Sequence, residues 1–214
     1  MDSGRISDFI KQYGSEREEL LQELRKTAAV EGVPIIREET EAFIRTIVTL
    51  MKPRSILELG TATGYSSVML ALADDSGSSV IDTVEDWEPR IPLAEANIKR
   101  AGLSGRINLI HGDALTVMRD LEKTYDLIFI DAAKGQYPDY LKEAMRLTCK
   151  GSVIIADNIL QDGEIMESKF VVERRDRTIH KRIREFLEAL SEDERLETSI
   201  LPVGDGITFS VRYR

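Results

Sequence analysis

The spacing of apolar residues along this chain changes near residue 53. Before it, they recur at helical intervals: Leu20, Leu21, Leu24 and Ala28 share one face, and Phe43, Ile44, Ile47, Val48 and Met51 share another. Gly32-Val33-Pro34 separates these two segments and Pro53 ends the second. Beyond residue 53, short β-branched runs alternate with amphipathic stretches. The pattern predicts strands near 55–59, 80–85, 107–111, 125–131 and 152–157. It predicts helices near 64–73, 87–101, 114–121, 136–148 and 176–190. The strand runs are short and β-branched, so both faces of the sheet are expected to be covered. Strand–helix alternation of this kind is a doubly wound, mostly parallel α/β sheet. The end of the chain breaks the rhythm. Ser199–Val203 and Ile207–Tyr213 flank Gly204-Asp205-Gly206, which reads as a hairpin, so the last of seven strands is expected to enter antiparallel. The expected organisation is one domain, with a helical segment 1–52 ahead of a Rossmann-like core 53–214.

Residues 58–64 read Glu-Leu-Gly-Thr-Ala-Thr-Gly, after the apolar run Ser55-Ile56-Leu57 and before the helical pattern Tyr65–Ala73. A strand that runs into a glycine turn, which then opens a helix, brings bare backbone against a cofactor. The spacing E-x-G-x-x-x-G differs from the G-x-G-x-x-G that grips a pyrophosphate. A glutamate at the strand end suits a ligand carrying an amino group, which points to S-adenosylmethionine before NAD. Alone, such a turn also reads as a plain structural connection. Glu85 ends the next strand, about 20 residues on, where an acidic side chain accepts hydrogen bonds from a ribose diol. His111-Gly112-Asp113-Ala114 follows the third strand, where an adenine would lie.

A second group of residues sits at two further strand ends. Asp131 follows Tyr125–Ile130, and Asp157-Asn158 follows Val153–Ala156. In a doubly wound order these strands are neighbours, and their ends open on the crevice of the glycine turn. Two carboxylates and an amide oxygen suit Mg²⁺ or a similar hard cation, and crowded carboxylates are costly without one. The plainer reading is that Asp157 and Asn158 cap a loop. Lys134 lies three residues past Asp131. A lysine beside a cation and a sulfonium can act as a base, although an isolated lysine is more often surface.

Composition changes little in this picture. A 214-residue chain is expected to form one core. No stretch approaches a membrane span, and Met1–Lys11 resembles neither a signal nor a transit peptide, so a cytoplasmic protein without membrane partners is expected. Cys149 is the only cysteine and reads as structural. The formal net charge of −9 argues against a large nucleic-acid surface, DNA included. Six of the twelve residues 173–184 are nevertheless basic: Arg174, Arg175, Arg177, Lys181, Arg182 and Arg184. They read either as a local RNA-facing patch or as solvated helix surface. The amphipathic N-terminal helices exceed what one sheet face needs, so a homodimer is expected.

Three motifs together identify a family resemblance. ELGTATGYSS at Glu58–Ser67, DLIFIDAAKGQY at Asp126–Tyr137 and VIIADN at Val153–Asn158 resemble the cation-dependent O-methyltransferases of the catechol and caffeoyl-CoA type. The parallel sheet closed by a hairpin is the methyltransferase form of the Rossmann plan. The resemblance covers roughly residues 33–214. It implies metal ligation by Asp131, Asp157 and Asn158 and a catalytic Lys134. It implies S-adenosylmethionine contacts at Glu58, Gly60, Ser66, Glu85 and Ala114, with Asp113 beside them. It also implies backbone contact near Ile36, with the Asp131 carboxylate near the sulfonium. A narrower likeness lies in RRDRTIHKRI, TSILPVGDGITFS and AAKGQY, which resemble the bacterial tRNA 5-hydroxyuridine methyltransferases. That likeness implies methylation of the wobble uridine in the tRNA anticodon region. The alternative is a small-molecule O-methyltransferase acting on catechol-like or caffeoyl-CoA-like hydroxyls. Trp87 is expected to line the adenine pocket or to pack, and loop 159–173 offers only Phe170 as an aromatic roof. A non-catalytic binding protein of the same fold is disfavoured by the joint presence of Asp131, Lys134, Asp157 and Asn158.

Overall fold

The computed structural model describes Phe9, residues 12–168 and residues 170–214. The Met1–Lys11 stretch, apart from Phe9, lies outside the described residues. Two helices come first, α1 (Glu19–Glu31) and α2 (Glu38–Met51), and the alternating core follows. Its elements are β1 (Ser55–Leu59), α3 (Tyr65–Ala73), β2 (Val80–Glu85), α4 (Ile91–Arg100), β3 (Ile107–His111), α5 (Ala114–Asp120), β4 (Leu127–Ile130), α6 (Tyr137–Arg146), β5 (Val153–Ala156), α7 (Arg177–Glu192), β6 (Leu196–Leu201) and β7 (Ile207–Arg212). Two short 3₁₀ turns, Lys134–Gln136 and Gln161–Met166, precede α6 and α7.

The seven strands form one sheet in the order β3-β2-β1-β4-β5-β7-β6. β1 to β5 are parallel, while β7 is antiparallel to both β5 and β6. The expected doubly wound sheet with a closing hairpin is therefore present. Period-two alternation divides the strands between two core layers. Ile56, Phe129 and Ile155 face one layer with Leu21, Ile44 and Val68 from α1, α2 and α3. Leu57, Ile128 and Ile154 face the other with Met118, Leu141 and Phe186 from α5, α6 and α7. Burial on both faces explains why these strands read as unbroken apolar runs. Among the described residues, no helix is long and apolar enough to cross a membrane.

Element boundaries depart from the sequence pattern most at α4 and β6. The α4 helix begins at Ile91, because residues 87–90 form a turn closed by Arg90 N–H to the Trp87 carbonyl. The β6 strand starts at Leu196, ahead of the expected Ser199, since pairing of Leu196 with Arg212 extends an edge whose own side chains are half polar. Cys149 is exposed in the turn after α6, its thiol 3.6 Å from the Ser152 hydroxyl.

All five parallel strands deliver their C-terminal ends to one edge of the sheet. Strand order reverses between β1 and β4, which is where an open α/β sheet forms its crevice. Gly60 closes the gap there. Its φ is +94°, and a Cβ would run into the Asp131 carbonyl at the end of β4. Only glycine allows the two strand ends to approach this closely.

Candidate active site

A cavity of about 750 Å³ opens along that crevice. Ile36, Gly60, Ser66, Glu85, Asp113, Ala114, Asp131, Lys134 and Asn158 all line it, so most of the residues singled out from the sequence meet in one place. Glu58 and Asp157 do not line it.

The turn after β1 is shaped mainly by backbone. Gly60 and Thr61 N–H both donate to the Val84 carbonyl, at 3.0 and 3.1 Å. Ala62 adopts φ +48°, a left-handed conformation that alanine rarely takes. Its N–H donates to Glu85 Oε2 at 2.7 Å, while Glu85 Oε1 accepts from Trp87 N–H at 3.0 Å. The Glu85 carboxylate is thus fixed at the end of β2 by two main-chain donors. The Trp87 ring is half exposed on the cavity wall, with the Arg90 guanidinium 4.5 Å from its centroid. Asp113 borders the cavity but its carboxylate is engaged as the N-cap of α5, accepting from Thr116 N–H and Oγ1 at 2.9 and 2.8 Å.

Glu58 sits behind the turn, completely buried. It accepts hydrogen bonds from the Ser67 hydroxyl and, at 2.6 Å, from the Thr83 hydroxyl. Burial pushes its carboxyl up to about 7. Its role in this geometry is to lock α3 against β2, one shell away from the cavity.

A further wall comes from Pro34 to Arg37, and a polar cluster of which only Tyr65 belongs to a sequence motif holds it. Glu41 of α2, 1% exposed, accepts from Arg25 Nη2 at 2.8 Å and from the Tyr65 hydroxyl at 2.7 Å, and pairs with Arg17 Nε at 2.5 Å. Arg25 Nη1 donates to the Ile36 carbonyl at 3.1 Å. One buried carboxylate therefore ties α1, α2, the cavity wall and the first residue of α3 together. Tyr65, directly after Gly64 in the turn motif, was the only sequence hint of it.

At the other end of the cavity, Lys134 Nζ donates to Asn158 Oδ1 at 3.1 Å. Asn158 has φ +56°, and its N–H donates to Asp157 Oδ1 at 2.7 Å. Asp157 Oδ2 is buried without a hydrogen-bond partner among the described residues. The Tyr137 hydroxyl donates to the Asp157 carbonyl at 3.0 Å and fixes the end of β5. Burial raises the Asp131 carboxyl above its ordinary range, and burial together with the nearby Asp131 charge pushes Asp157 up to about 7. Among the described residues, no three His, Cys, Asp or Glu side chains gather as a metal cluster. The oxygen set consists of two carboxylates and one amide. A buried, unpartnered carboxylate oxygen beside a second carboxylate is the chemistry that a hard cation neutralises.

The basic run 173–184 is mostly engaged within the protein. Arg175 pairs with Glu173 and Asp176, and Lys181 pairs with Glu185. Arg177 donates to the Val172 and Phe170 carbonyls at 3.1 and 3.3 Å, and Arg184 to the Ile165 carbonyl at 3.2 Å. Arg182 binds the Gly135 carbonyl at 2.8 Å and pairs with Asp139 and Glu185. Arg174 makes no side-chain hydrogen bond or ion pair among the described residues.

Comparison with known proteins agrees with this arrangement. The family model described as O-methyltransferase matches residues 11–213. A caffeoyl-CoA O-methyltransferase of Citrus natsudaidai is 34% identical over 224 residues, covering 96% of this chain and 95% of the relative. A catechol O-methyltransferase of Niastella koreensis is 33% identical over 168 residues, covering 76% and 74%. The crystal structure of an O-methyltransferase from Bacillus cereus in complex with SAH superposes with a TM-score of 0.85 at 28% identity, covering 97% of each chain. With its sheet order, its glycine turn against β4 and a match along nearly its whole length, this chain belongs to the O-methyltransferase family.

Proposed function

We propose that the protein transfers the methyl group of S-adenosylmethionine to a hydroxyl on a catechol-like or caffeoyl-CoA-like aromatic, with the help of a divalent cation. The observation that carries this reading is the convergence of Lys134, Asn158 and Asp131 on one end of a cavity whose other end is the β1 turn and Glu85. Glu85 would accept hydrogen bonds from a ribose diol, and the Gly60 turn offers close approach to backbone. Asp131, Asp157 and Asn158 would hold Mg²⁺ or a similar ion. When bound, the ion would supply charge stabilisation for the acceptor oxygen.

The chain's own residues do the remaining work. Lys134, fixed against Asn158, receives the hydroxyl proton. The cavity walls align acceptor oxygen, methyl carbon and sulfur, so that an O–C bond forms as the S–C bond breaks; the by-product is S-adenosylhomocysteine. The aromatic acceptor is supported by the names of the relatives above and by the exposed Met166, Phe170 and Val171 in the segment that precedes α7.

A second reading, methylation of 5-hydroxyuridine at the tRNA wobble position, is favoured by the unengaged Arg174 and by the largely exposed Arg175 and Lys181. Its acceptor also presents a hydroxyl beside a second oxygen. The test is methyl transfer from labelled S-adenosylmethionine, with Mg²⁺, to catechol, to caffeoyl-CoA and to tRNA carrying 5-hydroxyuridine. Turnover of a small phenol is expected. Transfer to tRNA alone would replace the first reading with the second.

A further inference from the structure

We propose that Arg182 is a positioning residue for Lys134, acting through the main chain of the turn that carries the lysine. The inference rests on the reading above, in which Lys134 receives the acceptor proton.

Lys134 begins a 3₁₀ turn only three residues long, and Gly135 is its middle residue. Such a turn holds itself weakly. Its internal support is the Gln136 N–H on the Ala133 carbonyl and the Tyr137 N–H on the Lys134 carbonyl. A Cβ at Gly135 would meet nothing within 4 Å, so no side-chain packing fills that side of the turn. The tertiary tie comes from α7: Arg182 Nε donates to the Gly135 carbonyl at 2.8 Å. The same guanidinium donates through Nη1 to Glu185 Oε2 at 3.0 Å and through Nη2 to Asp139 Oδ2. Glu185 and Asp139 hold the fork in one orientation, on α7 and α6 respectively. Three acceptors on three segments need a planar, multiply donating head group, which lysine lacks.

A different stripe of α7 holds the neighbouring loop. Arg177, His180 and Arg184 lie at helical spacing on one face and contact the carbonyls of Val172, Glu167 and Ile165. One helix therefore sets both the lysine turn and the segment that precedes it in sequence. Moving the Gly135 carbonyl would move Lys134 relative to Asn158, and a displacement of about 1 Å at a reacting group costs on the order of 100-fold in rate.

The test compares Arg182→Ala, Arg182→Lys, Lys134→Ala and the Arg182→Ala/Lys134→Ala double variant, using a phenolic acceptor, Mg²⁺ and S-adenosylmethionine. Arg182→Ala is expected to lower kcat about 10- to 100-fold while cofactor affinity stays within about twofold, and Arg182→Lys is expected to recover part of the loss. In the Lys134→Ala background, adding Arg182→Ala should change kcat by no more than about twofold, because an effect exerted through an absent lysine has nothing left to act on. Arg182→Lys keeps the charge beside Asp139 and Glu185, so it covers the case in which the alanine variant fails to fold. Hydrogen exchange at the Gln136 and Tyr137 amides should rise in Arg182→Lys. An unchanged kcat in Arg182→Ala, a full additional loss in the double variant, or unchanged exchange in Arg182→Lys would each overturn the inference alone. Wild-type turnover by Lys134→Ala would overturn the reading of Lys134 and the inference with it.

Discussion

The two ends of the crevice are held in different ways. At the β1–β2 end the wall is fixed mainly by main chain. Gly60 and Thr61 bond to Val84, and the Glu85 carboxylate that lines the cavity is itself held by two backbone N–H groups. At the β4–β5 end long side chains of α7 take part, with Arg182 reaching the Gly135 carbonyl between the cavity-lining Lys134 and Gln136, and Arg177 and Arg184 reaching carbonyls of the segment before α7. A backbone-built wall changes little when a surface residue is replaced. A wall held by guanidinium forks can be re-aimed by a single substitution on the helix. The first suits a cofactor whose shape does not vary, and the second suits an acceptor that differs from one relative to another.

The comparison can be broken most sharply at the side-chain end. Asp157→Ala removes a buried carboxylate whose Oδ2 has no partner among the described residues. Turnover is expected to fall by at least about 100-fold, with the unfolding transition retained. Steady-state rates alongside circular dichroism check this, and retention of most of the activity would remove Asp157 from the chemistry.

Next in size is the clamp behind the wall at Pro34 to Arg37. Glu41→Ala strands Arg17, Arg25 and the Tyr65 hydroxyl, and breaking a buried pair from one side costs about 3 kcal/mol or more. Urea unfolding should show that loss. A change below about 0.5 kcal/mol, the scale of an ordinary surface substitution, would mean that the cluster does not hold the wall.

Glu58 tests the β1–β2 end through pH. Its folded carboxyl is raised to about 7 from an ordinary value of 4.5. A raised folded value means that the contribution is fully present below 4.5 and is lost as pH climbs through 7. Ligand-free protein should lose about 2 kcal/mol between pH 5 and pH 8 from this group, and Glu58→Gln should flatten that part of the profile. Equal slopes in the two proteins would contradict the assignment. The smallest expected effect is at Glu85. Glu85→Ala should weaken S-adenosylmethionine by about 1–3 kcal/mol, read by calorimetry, and unchanged affinity would take the carboxylate out of the cofactor site.

The same contrast explains what was legible in the sequence. Strands buried on both faces announce themselves as apolar runs, and the glycine turn, Glu85, Asp131 and Asn158 fall at their ends, so the fold and much of the lining of the cavity could be read directly. Glu58 reads as a ligand contact because it lies near a strand end, but side-chain alternation turns it inward onto Ser67 and Thr83. The Arg25–Glu41–Tyr65 cluster joins residues far apart in sequence, and no local spacing marks it. The basic run at 173–184 showed the same limit. Charge density is visible in a sequence, but the direction each side chain points depends on tertiary contacts, and here Arg182 points at Gly135 and Arg184 at Ile165.

The central claim is that Asp131, Asp157 and Asn158 hold a cation beside a bound S-adenosylmethionine and that methyl transfer depends on it. The most direct measurement is transfer of labelled methyl to a catechol by metal-stripped protein, titrated first with Mg²⁺ and then with excess chelator. The account predicts activity that rises with Mg²⁺, vanishes in chelator and is absent from Asp157→Ala at every concentration. Full turnover in excess chelator would contradict it.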